Sequence, residues 1–389
     1  MGIAKKLCLP RVLAMEPPYR SPKEESKNEK EIWLDTNELQ IPFNGLSVDS
    51  AEYHLYPEFQ DYKLRKAYAD YCQNVINPDQ VAIVRGADEA IEMMIRAFCI
   101  PEQDAIIDMP PTYAMYRLTA EMYGVNVVTV PRLSSFAVDM ATLHNTPAAK
   151  LIFLCSPNNP TGNRTNRDEL IQLLEHTQND SLVVVDEAYI EFCPGSTCAD
   201  LIARFPNLVI IRTLSKAFGL AAVRCGFIVA SEEVIDIVYR VMAPYPVPEP
   251  VTQVSCQSLS QQGLERMQSN VAAIESVKNA FVNTIREMAC VRSIIAGYSN
   301  FILVEFQDER VDLAPLEQNL VYIREVALGH GITPRHRRIS IGTDEQMGEL
   351  AHWLSVVNAN YLNTVGEASE TADPSEYSNK SGSAQLIEA

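Results

Sequence analysis

Leu151-Ile152-Phe153-Leu154-Cys155-Ser156-Pro157-Asn158-Asn159-Pro160-Thr161-Gly162 decides the fold. Five apolar residues in succession leave no polar face, as in a strand buried on both sides, and the following prolines, asparagines and glycine force a turn. Outward from it, short apolar runs recur: VAIVRG (81–86), AIIDM (105–109), NVVTV (126–130), LVVVDEAY (182–189), LVIIRT (208–213) and CGFIVA (225–230). Between them the apolar residues take helical spacing, as at Ile91, Met94, Ile95 and Phe98. Two-faced apolar strands alternating with helices predict an α/β domain with a mostly parallel central sheet covered by helices. In such a sheet, ligands sit where turns leave the C-terminal ends of strands.

The chain of 389 residues exceeds what one small core organises, so a second domain is expected. The segment APYPVPEPV (243–251) carries proline at every second position and reads as a stiff, extended hinge. Beyond it the pattern predicts a long amphipathic helix around 264–289 and strands at FILVEF (301–306), VYIREV (321–326) and RRISIGT (337–343). A last helix follows, with Thr343 and Gln346 as its capping box. The expected division is an N-terminal arm with part of the small domain (1–45), a large domain (46–245), a small α+β domain (246–362) and a disordered acidic tail (363–389). With 32 basic and 50 acidic side chains the net charge is −18, which disfavours nucleic acid as a partner. No apolar run is long enough for a membrane span, and Pro10 and Arg11 interrupt any signal-peptide core. Nine scattered cysteines without a CxxC pair suggest neither a disulfide framework nor a metal site, and the expected compartment is the cytoplasm.

Four signals carry chemistry. Gly86-Ala87-Asp88-Glu89-Ala90 stands where a strand gives way to a helix, and free amides there hold phosphate; the plain alternative is Asp88 as helix cap. The turn Ser156–Gly162 offers the Asn159 amide at a strand end. Asp186 closes a buried strand, so its carboxylate needs a partner, either a pyridinium nitrogen or a structural arginine. Thr213-Leu214-Ser215-Lys216-Ala217-Phe218-Gly219 follows another buried strand, with Arg224 beyond. A lysine there either lies on the surface or is desolvated and reacts as an amine.

In this order and spacing the four signals resemble the aspartate-aminotransferase superfamily of pyridoxal-phosphate (PLP) enzymes, fold type I. Within it the chain most resembles the histidinol-phosphate aminotransferases, through VLAMEPPYRS, LDTNE (34–38), Tyr56-Pro57-Glu58, RGADEAIEMMIRAF, PPTYAMY (110–116), SPNNPTG, VVVDEAYIEF, RTLSKAFGLAAVRCGF, the proline hinge and RISIGT. The resemblance implies that Lys216 bonds covalently to PLP and shuttles the substrate proton, that Asp186 pairs with the ring nitrogen, and that Asn159 and Tyr189 hold the ring's phenolic oxygen. Tyr113 stacks on the ring. The amides of Ala87, Asp88 and Glu89, with Thr213, Ser215 and Arg224, take the phosphate. It further implies an obligate homodimer in which Tyr56 reaches the partner's site.

For substrate, the resemblance points to Tyr19, Asn159, Arg324 and Arg338, with Arg335 and Arg337 close enough to compete. Departures occur: a second proline precedes Tyr19, one extra residue separates Arg324 from Arg338, and Thr36, Leu39 and Gln40 stand where the family's LNANENP differs. The implied reaction converts L-histidinol phosphate and 2-oxoglutarate to imidazole-acetol phosphate and glutamate. An aromatic or broad-range aminotransferase and a phosphothreonine decarboxylase share the same cofactor residues and stay open as alternatives.

Overall fold

A computed structural model describes residues 3, 7–15, 30–51, 53–73, 75–326, 335–371 and 385–387. Among these, the strands in chain order are β1 (Ile32–Leu34), β2 (Val81–Val84), β3 (Ala105–Asp108), β4 (Asn126–Thr129), β5 (Leu151–Cys155), β6 (Leu182–Asp186) and β7 (Leu208–Thr213). They continue with β8 (Gly226–Ala230), β9 (Val291–Ile295), β10 (Phe301–Phe306), β11 (Val321–Val326), β12 (His336–Ser340) and β13 (Gln385–Ile387). A seven-stranded sheet runs β2-β8-β7-β6-β5-β3-β4, parallel except for β8. A second, six-stranded sheet runs β1-β11-β12-β10-β9-β13 and is mixed.

The apolar runs sort by the two-residue period of a strand. Ile152, Leu154, Val183, Val185, Leu208 and Ile210 enter one core, while Leu151, Phe153, Val184, Val209 and Ile211 enter the other. Helix Ala87–Phe98 covers the second core with Ile91, Met94 and Ile95. The first core continues without a break into the second sheet through Ile302, Val304 and Ile339, so the two sheets share apolar packing.

Two close backbone approaches bring the second sheet to the first. Gly162 (φ +72°) ends the turn after β5, and a Cβ there would lie 2.9 Å from the Cα of Gly297. The amide of Tyr298 donates to the Gly162 carbonyl at 2.8 Å, pinning that turn against the β9–β10 connection.

Two expectations need correction, the extended hinge and the disordered tail. The proline hinge is not extended throughout: a helix starts at Glu249, because Pro250 fits a first helical turn where no amide is needed. The long helix expected around 264–289 is present as Gln261–Ile285, its start set by Ser260, which accepts from the Gly263 amide, and the helix Glu249–Ser258 precedes it. The last helix, Asp344–Thr371, carries the reciprocal Thr343–Gln346 cap but runs past residue 362, since Val365 extends the stripe of Leu350, Leu354, Val357 and Tyr361. Gln385–Ile387 also departs from a disordered tail, adding a parallel strand beside β9.

Candidate active site

Because β5, β6 and β7 are parallel and in register, their C-terminal ends open along one edge. Asp186 is the last residue of β6 and is buried. The Tyr116 hydroxyl donates to its Oδ2 at 2.6 Å and the Ala188 amide to its Oδ1 at 3.0 Å. Burial pushes this carboxyl up to about 6, against the pull of those two hydrogen bonds and of Lys216. Lys216 follows β7, and burial, reinforced by the charge of Arg338, brings its ammonium down to about 8. Its Nζ lies 5.7 Å from the Tyr189 ring centroid and makes no hydrogen bond among the described residues. An amine in this state serves as a nucleophile toward a carbonyl and as a base for a C–H proton.

One corner gathers groups that could hold an anion. Helix Ala87–Phe98 starts after Gly86 (φ 86°) with no side-chain cap, which leaves its first amides available. A Cβ on Gly86 would come 2.8 Å from the Arg224 guanidinium, so only glycine lets that arginine approach the helix end. Arg224 Nη1 lies 3.5 Å from Ser215 Oγ, and Ser215 in turn is held by Thr213 Oγ1, which accepts from its amide at 3.1 Å. Asp88 is not the helix cap: its carboxylate accepts from the Tyr113 hydroxyl at 2.9 Å and lies 3.6 Å from Arg224. The Glu89 carboxylate turns back to the Arg85 amide at 2.6 Å, leaving only its backbone toward the corner.

The second sheet contributes from β12. Arg338 Nη1 donates to Asn159 Oδ1 at 2.8 Å and Nη2 to the Asp35 carbonyl, while its buried Nε hydrogen-bonds nothing among the described residues. Arg324 is its cross-strand neighbour in the β11–β12 register, on the same face. Arg335 and Arg337 are engaged elsewhere, at the Gln307 carbonyl (2.7 Å) and the Glu325 carboxylate (3.0 Å), so they do not join the cluster as competitors.

Tyr189 is buried; burial pushes its hydroxyl up, opposed by Arg338 and by a hydrogen bond from Asn37 Nδ2 at 3.0 Å. Tyr56 is 78% exposed and stacks on Tyr245 at 4.3 Å, outside this hydrogen-bonded cluster. Tyr19 lies outside the described residues. Asn37 and Tyr116 are the residues sequence reasoning missed. Asn37 stands in LDTNE at φ 55°, a conformation that asparagine tolerates, and Tyr116 lay hidden in an apolar pattern.

A model of the class I and II aminotransferases matches residues 24–354. Histidinol-phosphate aminotransferase of Aeromonas hydrophila is 43% identical over 338 residues, 87% of this chain and 94% of that protein. The enzyme of the same name from Vibrio campbellii is 45% identical over 280 residues, covering 72% and 80%. Among solved structures, histidinol-phosphate aminotransferase from Sinorhizobium meliloti in complex with pyridoxal-5'-phosphate shares the fold, with a TM-score of 0.78 at 19% identity over 91% of this chain and 98% of that one. L-threonine-O-3-phosphate decarboxylase from Porphyromonas gingivalis shares it as well, at 0.65 and 21% over 78% and 92%. With its lysine, carboxylate and anion corner set at one sheet edge, the chain is an enzyme that belongs to the class I and II aminotransferase family.

Proposed function

We propose that the chain binds PLP and transfers the amino group of L-histidinol phosphate to 2-oxoglutarate, giving imidazole-acetol phosphate and glutamate in histidine biosynthesis. In this reading it is a cytoplasmic homodimer, with residues 46–245 as the cofactor domain and 246–362, joined by 1–45, as the smaller one. The observation that carries the substrate assignment is Arg338, a half-buried arginine whose buried Nε is uncommitted, electrostatically coupled to Lys216 and paired across the sheet with Arg324. Such a group suits an anionic substrate end, phosphate in one half-reaction and carboxylate in the other.

The residues fit the cofactor. The Gly86–Arg224 approach leaves a cradle for a phosphate on the amides of Ala87, Asp88 and Glu89, with Thr213, Ser215 and Arg224 around it. Asp186 would hold a proton at the ring nitrogen, Tyr113 would stack on the ring, and Asn159 and Tyr189 would bind its phenolic oxygen. When bound, PLP supplies the electron sink that lets the C–H bond beside the substrate nitrogen break. Lys216, whose ammonium burial brings down to about 8, takes that proton on Nζ in its neutral form and returns it. Tyr19, Asn159, Arg324 and Arg338 would orient the substrate. Exposed Tyr56, stacked on exposed Tyr245 and next in the chain to exposed Leu55, supports a dimer face, from which the partner subunit's Tyr56 would reach the phosphate.

The test mixes holoenzyme, histidinol phosphate and 2-oxoglutarate and follows glutamate. Arg338→Ala should raise KM for histidinol phosphate by about 30-fold or more, as for a buried charge pair losing one member, and keep the visible absorbance of bound cofactor. Arg337→Ala should leave KM within about threefold, as for a partly exposed ion pair. Turnover of phenylalanine without glutamate formation from histidinol phosphate would overturn the assignment, as would carbon dioxide release without an amino acceptor.

A further inference from the structure

We propose that Asn37 is a positioning residue that fixes the direction of the Tyr189 hydroxyl proton, aiming it at the cleft, and that strand β12 sets this direction through Ser340. The inference rests on the reading that Tyr189 faces the cofactor's phenolic oxygen.

Asn37 is buried and held on every side. Its amide N–H donates to Ser340 Oγ at 2.9 Å, Ser340 Oγ donates to Asn37 Oδ1 at 3.1 Å, and Asn300 Nδ2 donates to the Asn37 carbonyl at 3.0 Å. A backbone N–H can only donate, so Ser340 Oγ accepts there with one lone pair, and its single proton is donated to Oδ1. That choice orients the side-chain amide. Nδ2 is left facing Tyr189, at 3.0 Å from its hydroxyl oxygen.

An N–H has nothing to accept with, so the Tyr189 oxygen is the acceptor in this contact and its own proton points elsewhere. The ring is enclosed, with Phe301 edge-on at 5.3 Å, and Lys216 Nζ lies over it. With the opposite amide orientation, Oδ1 would draw the phenolic proton away from the cleft. Ser340 and Arg338 are two residues apart on β12 and share a face, so the strand that bears the substrate arginine also orders this hydroxyl. The hydroxyl stays protonated at working pH, because burial pushes it up.

The test titrates the visible absorbance of PLP bound to wild type, Asn37→Leu, Asn37→Asp, Tyr189→Phe and the double variants. Asn37→Leu removes the donor without adding charge, and Asn37→Asp substitutes an acceptor for it. Both should raise the titration midpoint by about half a pH unit or more, because a phenolic oxygen with a weaker donor holds its charge less well. In the Tyr189→Phe background the Asn37→Leu shift should fall to within about 0.3 unit, the limit of independent action. Unmoved midpoints in both single variants, or a Leu shift that survives Tyr189→Phe, would overturn the role of Asn37. A wild-type protein with no visible band on adding PLP would overturn the cofactor reading as well.

Discussion

Tyr116→Phe removes one hydroxyl from a ring that is fully buried, stacked on Phe153 at 4.8 Å, and otherwise unchanged in shape. What is lost is the 2.6 Å hydrogen bond to Asp186 Oδ2. A hydrogen bond to a charged acceptor contributes about 1.5–3 kcal/mol, and each pKa unit corresponds to about 1.4 kcal/mol. The Asp186 carboxyl, already pushed up to about 6 by burial, should therefore rise to about 7–8. At pH 7 its ionised fraction falls from about nine-tenths to between about one-half and one-tenth. Since the ionised carboxylate is the form that pairs with a pyridinium nitrogen, PLP affinity should drop by about two- to tenfold at pH 7. The deficit should close by pH 9, where both proteins carry the carboxylate. Dissociation constants for PLP, read from absorbance at pH 7 and pH 9, decide the matter. An unchanged constant at pH 7, or an equal deficit at both pH values, would refute the reasoning.

Lys216 is charged in the unfolded chain up to about pH 10.4 but only up to about 8 in the fold, so desolvating its ammonium costs stability at neutral pH. Lys216→Met should stabilise the cofactor-free protein by on the order of 1–3 kcal/mol at pH 7. The gain should fade as pH rises through 8 towards 10.5, and urea unfolding showing a larger gain at pH 10.5 would contradict it. Glu187 pairs with Arg212 at 2.7 Å, both almost fully buried, and accepts from the Cys198 amide at 2.8 Å. Glu187→Ala should cost about 3–5 kcal/mol by stranding the guanidinium; a loss under about 1 kcal/mol in denaturant unfolding would mean that Glu191, 3.5 Å from Arg212, suffices alone.

Strands were legible where both faces are buried. LIFLC, LVIIRT and FILVEF coincide with β5, β7 and β10, because a predominantly apolar run of strand length has few other ways to hide. Boundaries governed by a single cap were not legible. The start of the long helix after Ser260 rests on one hydroxyl, and Val365 carries the last helix's apolar stripe past residue 362. Lys216, Asp186 and Arg224 could be singled out as candidates locally, since a charged residue at or beside the end of a buried strand has to be explained wherever it occurs.

The sequence by itself determined the α/β class and the residues at the parallel strand ends, because strand period and turn chemistry act over a few neighbouring positions. Only the tertiary structure decided how those residues are wired. Asn37 meets Tyr189 across 152 positions, Tyr116 meets Asp186 across 70, and Arg338 meets Asn159 across 179. It also separated Arg338 from Arg337, identical in chemistry and adjacent in the chain. Alternation along β12 sends one into the cleft and the other to Glu325. Hydrogen bonds that are directional over about 3 Å depend on how two sheets pack, and no local pattern in the chain encodes that.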